Sequence, residues 1–102
     1  FHSDTVQGIA HVPIDLQKTP IDFIAASAHK FHGPKGVGFA VFKKGFGIVP
    51  LLHGGEQERG ARAGTENTHS IIGMEKALSI AVDHFEEHKN YINGLKQYFI
   101  DQ

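Results

Sequence analysis

The stretch Ser27-Ala28-His29-Lys30-Phe31-His32-Gly33-Pro34-Lys35-Gly36 holds the residue types best suited to covalent chemistry in this chain. Lys30 ends an apolar run. A serine and a histidine come just before it, and a Gly-Pro-Lys-Gly turn comes just after. Taken singly, a lysine after an apolar run is usually a surface residue, but one placed this way can be held in a pocket instead of swinging in water. A held, partly desolvated amine is a nucleophile that forms Schiff bases with carbonyl compounds. Upstream, Asp4 and Gln7 close another predicted strand.

Open α/β sheets bind ligands at the carboxyl ends of their strands. Asp4 and Lys30 both sit at a predicted carboxyl end, so neighbouring strands would bring them to one edge. Pyridoxal-dependent chemistry asks for that pair: a Schiff-base lysine and an acid on the pyridine nitrogen. Gln7, three residues past Asp4, can turn back toward the same ring and donate to its phenolic oxygen. Ser27 and His29 alternate on the strand, so hydroxyl and imidazole donors can both face a phosphate. These parts read together as half of a pyridoxal-phosphate site.

The elements that must position them are legible in outline. Asp22 to Ser27 is a continuous apolar run, as expected for a strand buried on both faces, and Gly36 to Phe42 is a second. The link between the two runs is too short for a crossover helix, which predicts antiparallel neighbours. Thr5 to Ala10 reads as turn or short helix. His11 to Asp15 and Pro50 to Leu52 read as short extended pieces, and His53 to Glu66 as a polar, glycine-rich loop. From Asn67 or Thr68 to about Ile100, the residues Ile71, Met74, Leu78, Val82, Phe85, Ile92, Leu95 and Phe99 recur at helical spacing. Asn67 or Thr68 is the expected N-cap, and Asn90 or Gly94 the expected place for a break. Unbroken, this helix would be about 50 Å long, overhanging a compact body of about 13 Å radius of gyration.

Composition narrows the class. The chain has 102 residues, 40% of them apolar, a net charge of −1 and no cysteine. The basic residues form no long run, which argues against a nucleic-acid surface. No apolar stretch approaches the roughly 20 residues that span a bilayer. Without cysteine there is neither disulfide nor thiolate metal site. His84-Phe85-Glu86-Glu87-His88 fits the H-x-x-E-H pattern of some zinc peptidases, but it lies in an amphipathic helix with no third ligand evident, so no metal site is expected. Gly36-Val37-Gly38 precedes a strand, not a helix, and is no dinucleotide fingerprint. Both ends of the chain fall inside predicted elements, which predicts a piece of a larger protein.

Three blocks carry a family resemblance: His2-Ser3-Asp4-Thr5-Val6-Gln7; the Ser27–Gly36 stretch; and Gly54-Gly55-Glu56-Gln57-Glu58-Arg59-Gly60-Ala61-Arg62-Ala63-Gly64-Thr65-Glu66-Asn67. In order and spacing they resemble the cysteine desulfurases, class V aminotransferase relatives among the fold type I pyridoxal-phosphate enzymes. The resemblance implies an α/β fold with a mixed, mostly parallel sheet. Residues 1–66 would be part of the large cofactor-binding domain, and 67–102 a long C-terminal helix leading toward a small domain. It implies that Lys30 holds the cofactor and later removes the substrate α proton. Asp4 would pair with the pyridinium nitrogen, Gln7 with the phenolic oxygen, and Ser27 and His29 with the phosphate. Thr65 would reach the phosphate of a second subunit, making a homodimer with shared sites.

The family reaction takes L-cysteine to L-alanine and passes sulfur, as an enzyme persulfide, to an acceptor or scaffold protein for iron–sulfur cluster or thio-cofactor assembly in the cytoplasm. Several family parts have no counterpart here. These are the persulfide cysteine, the phosphate-binding turn, the ring-stacking histidine, the ring asparagine and the carboxylate-gripping arginine. The chain alone is therefore not expected to desulfurate cysteine. The Gly-Gly-x-Gln-Glu-Arg-Gly block favours the desulfurase branch; a selenocysteine lyase or another class V enzyme is the alternative within the same chemistry, and a non-catalytic, self-associating fragment is the reading from a different class. Taken singly, Asp4 also reads as a strand-end cap and Ser27 and His29 as turn residues. Asp22 and Arg59 read as structural.

Overall fold

The computed structural model describes residues 1–102. Three strands, β1 (His2–Asp4), β2 (Phe23–Ser27) and β3 (Gly38–Phe42), form one sheet in the order β1-β2-β3. Two 3-10 turns interrupt the chain at Ala28–Phe31 and Gln57–Gly60. Two helices follow, α1 (Thr68–Asp83) and α2 (Phe85–Ile100). No helix is long and apolar enough to cross a membrane.

β1 runs parallel to β2, with Asp4 level with Ala25. β2 and β3 are antiparallel, with Ser27 opposite Gly38. The antiparallel pairing expected from the short link is present. The sheet is mixed, with one parallel and one antiparallel pairing. Gly38 lies so close to β2 that a Cβ there would sit 2.2 Å from the Ala26 carbonyl oxygen.

The strands are not buried on both faces. Ile24 and Ala26 point into the core, while Val41 and Phe42 stay substantially exposed. Phe23 faces the other way, with its ring 6.2 Å from Phe42, 6.1 Å from Phe46 and 4.6 Å from His2. An aromatic cluster on the outer face explains an unbroken apolar run without a second covering layer. At the far end of the strands, Asp22 accepts from Lys43 Nζ at 3.1 Å. The extended pieces expected at His11–Asp15 and Pro50–Leu52 are turns and irregular chain, because no strand lies beside them to pair with.

The core sits between the sheet and α1. Phe31 is 1% exposed, with Ala28 and Ala81 buried around it; Ile9, Val37, Phe39, Met74 and Leu78 pack against this group. Asn67 caps α1, its Oδ1 accepting from the Ser70 amide at 3.3 Å. The single long helix is corrected to two. The break falls at His84, whose backbone leaves the helical region at φ −103°, ψ 14°, and not at Asn90 or Gly94. His84 Nδ1 pairs with Glu87 Oε2 at 2.9 Å and fastens the joint to the first turn of α2. Val82, expected on the buried stripe, is 62% exposed. The chain is elongated, 56 × 32 × 21 Å, with a radius of gyration of 16.5 Å.

Two outcomes test this packing. Gly38→Ala is expected to cost about 1–3 kcal/mol, because overpacking here drives a methyl into backbone. Gly47→Ala, which meets nothing within 4 Å, should stay within about 1 kcal/mol of the parent; urea midpoints compare them. Asp22 is held below its ordinary pKa, and the side chain that does so is Lys43, whose ammonium donates to it at 3.1 Å. Its folded pKa is depressed, so its contribution to stability is present above the unfolded value of about 4 and lost as pH falls through the folded one. Asp22→Asn should therefore lower stability at pH 7, and the gap to the parent should close in acid titration and narrow in high salt.

Candidate functional site

Because β1 and β2 are parallel neighbours, their carboxyl ends form one edge, and the chemistry-bearing residues gather along it. Asp4 is the last residue of β1 and Ser27 the last of β2. Thr5, buried just past Asp4, ties the edge together: its amide and its hydroxyl both donate to the Ala25 carbonyl, at 3.0 and 2.8 Å. Asp4 Oδ1 accepts from the Val6 amide at 2.9 Å, which turns the chain at the strand end and carries Gln7 around the corner. The strand-cap reading of Asp4 is thus satisfied by one carboxylate oxygen, and the other has no protein partner.

After Ser27 the chain does not continue as strand. Ala28–Phe31 is a 3-10 turn, capped by His32 in the left-handed region at φ 68°. The expectation that Ser27 and His29 alternate on one strand is therefore corrected: His29 is on the turn, brought round by its curvature. The turn is driven by burial. Ala28 and Phe31, three residues apart, point down into the core, and the intervening His29 and Lys30 point up and out. His29 is exposed and Lys30 half-buried. Neither the Lys30 amine nor the Ser27 hydroxyl, the His29 ring or the Gln7 amide bonds to any other protein group, and no carboxylate pairs with Lys30. The carboxyl edge of the sheet thus carries uncommitted donors after β2 and one free carboxylate oxygen at the end of β1.

Thr65 is not part of this cluster. It is exposed on the loop before α1, and no hydrogen bond joins that loop to the Lys30 turn. The loop is organised by itself: the Gly64 amide donates to Gln57 Oε1 at 3.1 Å, Arg62 donates to the Ala63 carbonyl at 3.0 Å, and Ala63 is buried.

One residue at the site carried no functional signal in the sequence. His11, on the connection between β1 and β2, has its Nε2 3.0 Å from the Lys30 carbonyl oxygen. A lone histidine 19 residues from its partner has no spacing that announces it. The carboxylates with shifted pKa values lie elsewhere. Asp15 is lowered by the Gln17 amide and Lys18, Asp22 by the pair described above, and Glu87 by His84.

Comparison with known proteins places the architecture. The family model described as aminotransferase class-V matches residues 1–102. The cysteine desulfurase IscS of Dictyoglomus turgidum is 46% identical over 100 residues, covering 98% of this chain and 25% of that protein. A solved NifS-like protein superposes with a TM-score of 0.92 at 45% identity, over 98% of this chain and 27% of the other. The protein SspA, solved in complex with cysteine, superposes with a TM-score of 0.74 at 40% identity, covering 78% of this chain and 23% of that one. The chain thus spans about a quarter of the length of the relatives it matches.

The Phe31 anchor gives the test of this geometry. Phe31→Ala is expected to cost about 3–5 kcal/mol and Phe31→Leu about 1–1.5 kcal/mol, read from urea denaturation. Amide exchange in Ala28–Gly33 should accelerate in the same order.

Proposed function

The chain belongs to the class V aminotransferase family, and we propose that it carries the lysine-bearing half of the pyridoxal-phosphate site of a cysteine desulfurase. The observation that carries this reading is the edge itself. A half-buried lysine without an ion pair follows the end of β2 together with a serine and a histidine without partners, and the parallel neighbour β1 ends in an aspartate with one free oxygen and leads on to a glutamine without a partner. The donor set fits the cofactor: an amine for its aldehyde, an anion for its ring nitrogen, and neutral or cationic donors for its phenolic and phosphate oxygens.

Bound there, pyridoxal phosphate supplies a carbon that amines attack and a ring that draws electrons from the substrate α carbon. Lys30 would hold the cofactor through its Nζ and would be the base that takes the substrate α proton. Asp4, through its free oxygen, keeps the proton on the ring nitrogen. Gln7 donates to the phenolic oxygen. The Ser27 hydroxyl and the His29 imidazole hold the phosphate. Thr65 lies outside the edge, and its proposed place is on the phosphate held by a second copy of the chain.

The substrate we propose is L-cysteine. Its sulfur would leave for an acceptor protein by way of a cysteine of the whole enzyme, since this chain has none. Support comes from the desulfurase relative and from the cysteine complex of SspA. Selenocysteine is the competing substrate within the same chemistry.

Borohydride trapping tests the site. The chain is incubated with pyridoxal phosphate, reduced, digested and mapped by mass spectrometry. Near-stoichiometric label confined to Lys30, lost in Lys30→Ala, is the expected result. Label spread over Lys35, Lys43, Lys44 and Lys89, or no label in a chain shown to be folded by circular dichroism, would overturn the proposal.

A further inference from the structure

We propose that His11 is a positioning residue for Lys30, holding the lysine's carbonyl through an Nε2–H hydrogen bond that the backbone cannot supply; this rests on the function proposed above. The argument is one of donors. In a helical turn, the carbonyl of Lys30 would be taken by the amide three or four residues on. The fourth residue on is Pro34, which has no amide hydrogen. The third is Gly33, whose amide already donates to the Ala28 carbonyl at 2.8 Å. The His32 amide is directed to the same Ala28 oxygen. Lys30 is left with an orphan acceptor at the residue whose placement matters most.

His11 fills that vacancy at 3.0 Å. A carbonyl only accepts, so Nε2 must carry the hydrogen, which fixes the neutral tautomer as Nε2–H. The ring comes from a turn in the β1–β2 connection that is itself closed by the His11 amide donating to the Gly8 carbonyl at 3.0 Å. That connection begins at Thr5, immediately after Asp4. The bond therefore crosslinks the two halves of the edge, tying the segment that carries Asp4 and Gln7 to the turn that carries Lys30.

The surroundings hold no better partner for the ring. His11 borders a cleft of about 240 Å³ together with Phe31 and His32 of the Lys30 turn, Ala81 of α1, and His88 and Tyr91 of α2. Lys89 lines the adjoining cleft. None of these presents a carboxylate to draw the imidazole away from the carbonyl.

The test compares His11→Phe, which keeps the ring volume without a donor, with His11→Gln, which keeps a donor. Two readouts are taken on the full chain: amide exchange across Ala28–Gly36, and the share of borohydride-trapped pyridoxal label found on Lys30. His11→Phe should speed exchange and lower the Lys30 share by roughly threefold to tenfold, the range one hydrogen bond supports. His11→Gln should restore both to within about twofold of the parent. Equal exchange and equal labelling in parent and His11→Phe would overturn the inference while leaving the proposed site intact. So would a His11→Gln variant as impaired as His11→Phe, since packing and not donation would then be at work. If the parent fails to label Lys30, the site proposal falls. The exchange data alone then decide whether His11 holds the turn.

Discussion

Burial of Phe31 is the constraint on which the rest of the structure depends. It is the one large side chain withdrawn almost wholly from water, and it stands immediately after Lys30. Taking such a ring out of water contributes about 1.5–3 kcal/mol, a large share of what a chain this size can muster. Its partners come from every layer: Phe39 from β3, Ile9 from the β1–β2 connection, and Met74, Leu78 and Ala81 from α1. Sheet, connection and helix therefore meet under the Lys30 turn. The lysine does not follow its neighbour into the core, and its side chain stays half-buried. Apolar burial one residue away sets the position of a polar group.

Backbone hydrogen bonding refines that placement. A 3-10 turn that must bury Ala28 and Phe31 cannot be extended as an α-helix, because Pro34 offers no amide and its ring lies against α1. A Cβ on Gly73 would come 2.8 Å from Pro34 Cγ, so only glycine lets the helix pass that close. The cost of glycine in a helix interior, about 1 kcal/mol, is accepted in return for seating the turn. The same proline that stops the helix leaves the Lys30 carbonyl without a backbone donor. The turn, the helix contact and the unusual His11 bond thus share one cause.

The parts of this fold legible in the sequence were those governed by short-range pattern. β2 announces itself as an apolar run, the N-cap by an asparagine ahead of a periodic segment, and the antiparallel pair by the length of its link. The residues at the edge were legible as types, since Asp4, Ser27, His29 and Lys30 follow strand ends in order. What was not legible depended on contacts distant in sequence. His84 breaks the helix through a single non-helical residue, stabilised by its own pair with Glu87, where Asn90 and Gly94 looked weaker by propensity. The outward turn of β3 rests on an aromatic cluster gathered from Phe23, Phe42 and Phe46. His11 finds its carbonyl only once the β1–β2 connection has folded back.

The two helices divide the labour unequally, and the division bears on where the Lys30 edge sits. Met74, Leu78 and Ala81 of α1 meet the core, so its apolar stripe is matched by the sheet and the Lys30 turn. α2 carries an equally regular stripe, yet Ile92, Leu95 and Phe99 remain open, Phe99 at 81% exposure. An amphipathic helix gains most of its stability from the face it buries, so α2 adds little to the stability of this chain beyond its own hydrogen bonds and its joint at His84. Cohesion is concentrated at one end of a 56 Å body. The covalent cofactor site proposed at Lys30 would need side chains held within a fraction of an ångström by a locked support, and the Phe31 end of the molecule is where such support is found. The lysine sits over the one part of the chain dense enough to hold it still.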